Sequence, residues 1–122
     1  MAKQKNADEE SGQAPGPKEV VFLHGEIKTP PFSAEARREA GSLIRRLQDR
    51  ESFGMPHLRW LRDVGPRCGE LRIPDAQHNW RIMFRVDATE VLVVDVYDKK
   101  TQQIPDAVIV RCKRRLREYD ET

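Results

Sequence analysis

The sequence predicts an α+β domain: a small antiparallel sheet with helices packed on one face and a partly open basic face opposite. Three observations lead there. Residues 68–97 hold three strand-like runs separated by short turns. Two segments, 33–50 and 105–119, carry apolar residues at helical spacing. A further strand-like run precedes the first of these helices.

Taken in order, "EVVFL" (19–23) reads as the first strand, and "KTPPF" (28–32) breaks it. Ser33 is placed to cap a helix, with Glu35 in the first turn. Ala36, Ala40, Leu43, Ile44 and Leu47 form its apolar stripe, and the helix is expected to run to about Arg50. Gly54 and Pro56 stop any continuation, and "GMPHLRWLRDVGPR" reads as a loop. In "CGELRI" (68–73), Leu71 and Ile73 point one way and Glu70 and Arg72 the other. "DAQHN" is a turn. "WRIMFRV" (80–86) sets Trp80, Ile82, Phe84 and Val86 against Arg81, Met83 and Arg85. "VLVVDVY" (91–97) is apolar on both faces apart from Asp95, as a central strand would be. Pro105 suits the first turn of a closing helix, whose stripe is Val108, Cys112, Leu116 and Tyr119.

The chain of 122 residues is expected to hold one domain, residues 18–122, behind a disordered tail, residues 1–17. The tail has no apolar run of the kind a signal peptide needs, and no stretch approaches a membrane span, so a cytoplasmic protein is expected. Cys68 and Cys112 fit a reduced protein. Together with His24, His57 and His78 they show no metal-ligand spacing, so neither a metal nor a cofactor is predicted.

Net charge is only +2, but the basic residues cluster. Arg111, Lys113, Arg114, Arg115 and Arg117 fall within seven residues that contain no acid. Strand alternation puts Glu70, Arg72, Arg81 and Arg85 on the face away from the predicted core, and "YDKKTQQIP" (97–105) leaves the last strand beside that face. Two readings stand. One is a solvated sheet face on which Glu70 balances an arginine across strands. The other is a guanidinium pair, Arg72 with Arg81, aimed at a phosphate, with Lys99 and Lys100 adding charge. A turn before a helix also offers free backbone N–H groups.

The four segments "CGELRI", "NWRIMFRV", "YDKKTQQIP" and "VIVRCKRRLREY" occur in that order over residues 18–119. In this the chain resembles the RelE/ParE/HigB superfamily of toxin–antitoxin toxins, most of all its phage-derived HigB-like branch. The resemblance implies a RelE-like fold and the toxin component of a type II toxin–antitoxin system. It implies an endoribonuclease that cleaves mRNA, often on the ribosome, and so inhibits translation. A cognate antitoxin, typically a helix-turn-helix protein, is the implied partner, and the chain alone is expected to bind DNA weakly. Carried onto this sequence, the catalytic candidates are Arg81, Arg72, Glu70 and Tyr97. Arg81 and Arg72 take the phosphate, and Glu70 serves either as general base or to orient Arg72. Lys99, Lys100 and Arg85 are the candidates for holding RNA.

The chain also departs from the branch. No histidine lies near its C-terminus, and Tyr119 falls on the core stripe. Tyr97, placed by alternation with Val91, Val93 and Asp95, is either the replacement acid or a packed aromatic. His57 and His78 read as surface loop residues. Ile104 stands where the branch carries a capping Thr, at a cost of about 1 kcal/mol unless compensated. Two other readings remain: a ParE-like toxin that binds DNA gyrase, and a catalytically inactive antitoxin-binding homologue.

Overall fold

The computed structural model describes residues 16–25 and 30–122. The elements are β1 (Glu19–Phe22), α1 (Ala34–Gln48), β2 (Leu58–Trp60), β3 (Cys68–Asp75), β4 (His78–Val86), β5 (Glu90–Asp98) and α2 (Asp106–Asp120). The strands form one mixed sheet in the order β1-β5-β4-β3-β2. β3, β4 and β5 make the expected antiparallel meander, and β1 joins it parallel to β5. The α+β expectation therefore holds. Most of the tail assigned to residues 1–17 lies outside the described residues, and Gly16 and Pro17 are exposed.

The first helix begins as its sequence dictates. The Ser33 hydroxyl accepts from Ala36 N–H at 3.0 Å, and Glu35 sits in the first turn. Asp75 fixes that end to the sheet: its Oδ2 accepts from Ser33 N–H at 3.0 Å and from Trp80 Nε1–H at 3.2 Å. Ala36, Ala40, Leu43 and Leu47 are buried against Leu71, Ile73, Ile82, Phe84 and Val93.

Helix placement differs from the expectation of one covered face. Val108, Cys112 and Leu116 of α2 pack with Met83, Leu92 and Val94, while α1 covers Ile82, Phe84, Val91 and Val93. Neighbouring residues of β5 thus belong to different cores, so the helices lie on opposite faces of the sheet. The physical reason is visible in "VLVVDVY". A strand apolar on both faces needs cover on both. Met83, read as lying on the open face, is buried under α2. The basic face is open only beyond the reach of that helix.

Two local features were not predicted. "LRW" forms β2 inside the expected loop and pairs antiparallel with β3. Gly69 permits that close approach: a Cβ there would stand 2.7 Å from Phe84 Cζ and 2.9 Å from the Arg59 carbonyl oxygen. The second feature is a register shift between Met83 and Phe84, which pair with Asp95 and Val93 and leave Val94 unpaired. The bulge corrects the position of Tyr97. It lies opposite Arg81, on the α2 face, and not on the face of Val91 and Val93.

Helix α2 starts after Pro105 with no side-chain cap, as Ile104 implies, and Ile104 instead packs against the α2-side core. Among the described residues no helix is long and apolar enough to cross a membrane.

Cys112 is fully buried, and burial, with Asp95 adding, pushes its thiol up to about 12 from an ordinary 9.0. Tyr97 rises to about 12 from 10.0, through burial first and then Glu70. Both groups are raised in the folded state. Their contribution is whole below the unfolded values and is lost as pH climbs toward 12. Unfolding stability, read from denaturant midpoints, should fall by on the order of a few kcal/mol across that window. Cys112→Ala should flatten the fall relative to its own stability at neutral pH.

Candidate functional site

The strand pairing determines which side chains meet. Arg72 and Arg81 are direct cross-strand partners on β3 and β4, and Tyr97 of β5 lies opposite Arg81. Like charges placed opposite one another repel. Glu70 lies beneath the two guanidinium groups with no solvent exposure. Its Oε2 is 3.7 Å from Arg81 Nε and 3.9 Å from Arg72 Nε, too far for hydrogen bonds. Both Glu70 oxygens, Arg81 Nε and the Tyr97 hydroxyl are buried without hydrogen-bond partners. Natural interiors rarely leave several such atoms together unless the site has another use for them.

Arg81 keeps one anchor, donating from Nη1 to the Trp80 carbonyl at 3.2 Å. Burial lowers its pKa, with Glu70 opposing and Arg72 adding to the drop. Arg72, less buried, rests Nη1 on Met55 Sδ at 3.2 Å.

Above this pair opens a groove of about 530 Å³, lined by Arg59, Arg72, Arg81, Lys99 and Lys100 with Asn79, Thr101 and Gln102. Among the described residues, no acidic side chain lines it. The Lys99 backbone N–H donates to the Asn79 carbonyl at 2.8 Å, which ties the start of the loop after β5 to β4. Burial pushes the Lys99 ammonium below its ordinary pKa; Glu70 opposes, and Arg81, Arg72 and Arg59 push it lower. Lys100 sits at the rim, mostly exposed, with Nζ 3.0 Å from Asp98 Oδ2. Hydrogen bonds from His78 and from Asn79 N–H hold the Asp98 carboxyl well below the usual carboxylate range.

Five of the seven residues singled out in the sequence therefore converge, with qualifications. Arg72, Arg81, Lys99 and Lys100 line the groove, and Glu70 underlies it. Tyr97 is close by, but its hydroxyl is enclosed beneath the surface. Arg85 lies elsewhere: Nη2 donates to Asp120 at 2.7 Å and to Asp87 at 2.9 Å, and it does not line the groove. His57 pairs with Glu39 and Tyr119 with Glu90, both away from the groove.

Arg59 is the residue that sequence reasoning missed. It reaches the groove from β2, opposite Glu70. Its signals were a place among the clustered arginines of residues 59–85 and the Leu-Arg-Trp alternation inside the expected loop. Two residues of the basic C-terminal run prove structural, since Arg111 and Arg115 both pair with Asp95.

A family model described as phage derived protein Gp49-like (DUF891) matches residues 30–117, and the chain belongs to that family, which is RelE/toxin-like. No curated protein and no solved structure matches the chain.

Proposed function

We propose that this Gp49-like protein is the toxin of a type II toxin–antitoxin pair, of the HigB-like kind, and cleaves RNA in the groove over Glu70. One observation carries the reading. Two guanidinium groups lie directly opposite each other in a groove that no acidic side chain lines among the described residues, with their counter-charge buried beneath them. An anion above the pair relieves their repulsion and receives bidentate donors.

A phosphodiester supplies that anion. Its neighbouring 2′-oxygen attacks phosphorus, releasing its proton to solvent, and the bond from phosphorus to the 5′-oxygen breaks. A 2′,3′-cyclic phosphate and a 5′-hydroxyl result. Arg72 and Arg81 hold the negative charge that grows on the phosphoryl oxygens. Lys99, whose ammonium already releases its proton more easily than usual, protonates the departing 5′-oxygen. The requirement for a 2′-hydroxyl makes the substrate RNA. Glu70 is a positioning residue, since its enclosed oxygens orient the arginines and do not reach the reacting atoms. Tyr97 supports Arg81 from below. A cognate antitoxin, of helix-turn-helix type, would neutralise the toxin by covering the groove.

Lys99→Gln is expected to lower cleavage by ~100-fold with little loss of stability. Lys100→Gln, at the rim, should cost no more than about threefold, as exposed charges contribute little. The direct test of the function is mapping of RNA 5′-ends after induction, with a DNA gyrase assay alongside. Growth arrest with new 5′-hydroxyl ends supports the ribonuclease. Arrest with intact RNA and inhibited gyrase replaces it with a ParE-like binding toxin.

A further inference from the structure

A second cavity, of about 650 Å³, adjoins the arginine groove and shares Arg59, Lys99 and Gln102 with it. It lies between the segment Leu61–Val64, the loop Gln102–Ile104 and the first turns of α2. Its chemistry differs from that of its neighbour. Leu61, Val64, Ile104 and Ile109 give it apolar surface and Trp60 an aromatic ring, while Asp63 and Asp106 set two carboxylates among Arg59, Arg62 and Lys99. These carboxylates offset most of the charge of the three cations, so a phosphate is favoured less here than in the neighbouring groove. The lining suits a group that is flat and apolar on its faces and carries hydrogen-bond donors and acceptors at its edge.

We infer that this cavity takes the base of the nucleotide next to the cleaved phosphate, and that Gln102 and Gln103 read its edge. The inference rests on the ribonuclease reading and adds to it the site of sequence preference. Single-stranded RNA is read by splaying bases into pockets and hydrogen-bonding their edges. A glutamine amide offers a donor and an acceptor side by side, the pattern that base edges present. Both glutamines are exposed, and the loop that carries them is shaped from within. The Thr101 hydroxyl donates to the Gln103 carbonyl at 2.8 Å, a bond that survives any change to the glutamine side chains. Arg59, common to both cavities, holds the linking backbone. The shared lining residues put base and phosphate within one nucleotide of each other.

The test is cleavage of a randomised single-stranded RNA pool by the wild type and by Gln102→Ala/Gln103→Ala, with ends sequenced. The wild type should show a base preference on one side of the cut. The double variant should lose at least ~10-fold of that preference, the value of one good edge contact, while total cleavage falls by less. Unaltered preference in an active double variant overturns the base pocket and leaves the ribonuclease standing. A folded wild type that cuts no RNA, either free or bound to ribosomes, overturns both. Thermal melts of both proteins exclude unfolding as the cause of any loss.

Discussion

Arg81→Ala is expected to lower RNA cleavage by ~100–1000-fold, the usual consequence of removing one preorganised donor to a charge that grows in the transition state. It will also cost stability, which alternation alone does not suggest. Arg81 is only 7 % exposed, and it is the nearer of the two cations beside the wholly buried Glu70. Its removal leaves the buried Glu70 with Arg72 as its remaining close cation, so the cost is expected to stay below the ~3–5 kcal/mol of a fully stranded charge. Two further variants separate these effects. Arg81→Lys keeps a cation beside Glu70 and should regain much of the stability. It should regain little cleavage, because an ammonium has no bidentate fork. Glu70→Gln/Arg81→Ala removes both charges and should also recover stability without recovering cleavage. Wild-type cleavage by a folded Arg81→Ala protein would sink the proposed mechanism.

What could be read from the sequence depended on the range of the physics. Local signals served well. The Ser33 cap, the stripe of Ala36, Ala40, Leu43 and Leu47, and the alternation in β3 and β4 all depend on near neighbours in the chain, and each appears as expected. Arg72 and Arg81 were placed together because a short hairpin turn fixes their register. Features set by distant contacts were not legible. Strand β2 is three residues long and exists because Gly69 lets it approach β3. The bulge at Val94 moved Tyr97 to the other face, since one extra residue reverses every side chain beyond it. Opposite placement of the helices follows from Leu92 and Val94 needing cover on the face away from Val91 and Val93. Burial of Arg85 among carboxylates was invisible because Asp120 is 35 positions away along the chain.

Asp95→Ala is expected to be the most destabilising single change away from the groove, at about 3–5 kcal/mol. Asp95 is 4 % exposed and Arg115 8 %, and both lie where α2 crosses β5. Arg115 Nη1 donates to Asp95 Oδ1 at 3.1 Å and to the Val94 carbonyl at 2.8 Å, the residue left unpaired by the bulge. Arg111 Nη2 donates to the other oxygen, Oδ2, at 2.5 Å. One carboxylate thus pairs with two arginines and ties the helix to the irregular part of the strand. After Asp95→Ala, Arg111 is exposed enough to hydrate. Arg115 is not, and retains one carbonyl for a full charge whose Nε already lacks a partner. Asp95→Asn should cost less, since the amide oxygen still accepts one bond. Asp95→Leu/Arg115→Met should recover most of the loss, because apolar replacement of a whole buried pair is often neutral or better. Denaturant midpoints of the three variants decide the matter. A loss below about 1 kcal/mol for Asp95→Ala would place the attachment of α2 in its apolar stripe alone. The same variants bear on the chemistry, since the first turns of α2 wall the cavity next to the arginines. A loosened helix should therefore blunt base preference before it reduces cleavage itself, because Arg72, Arg81 and Lys99 are carried by β3, β4 and the loop after β5.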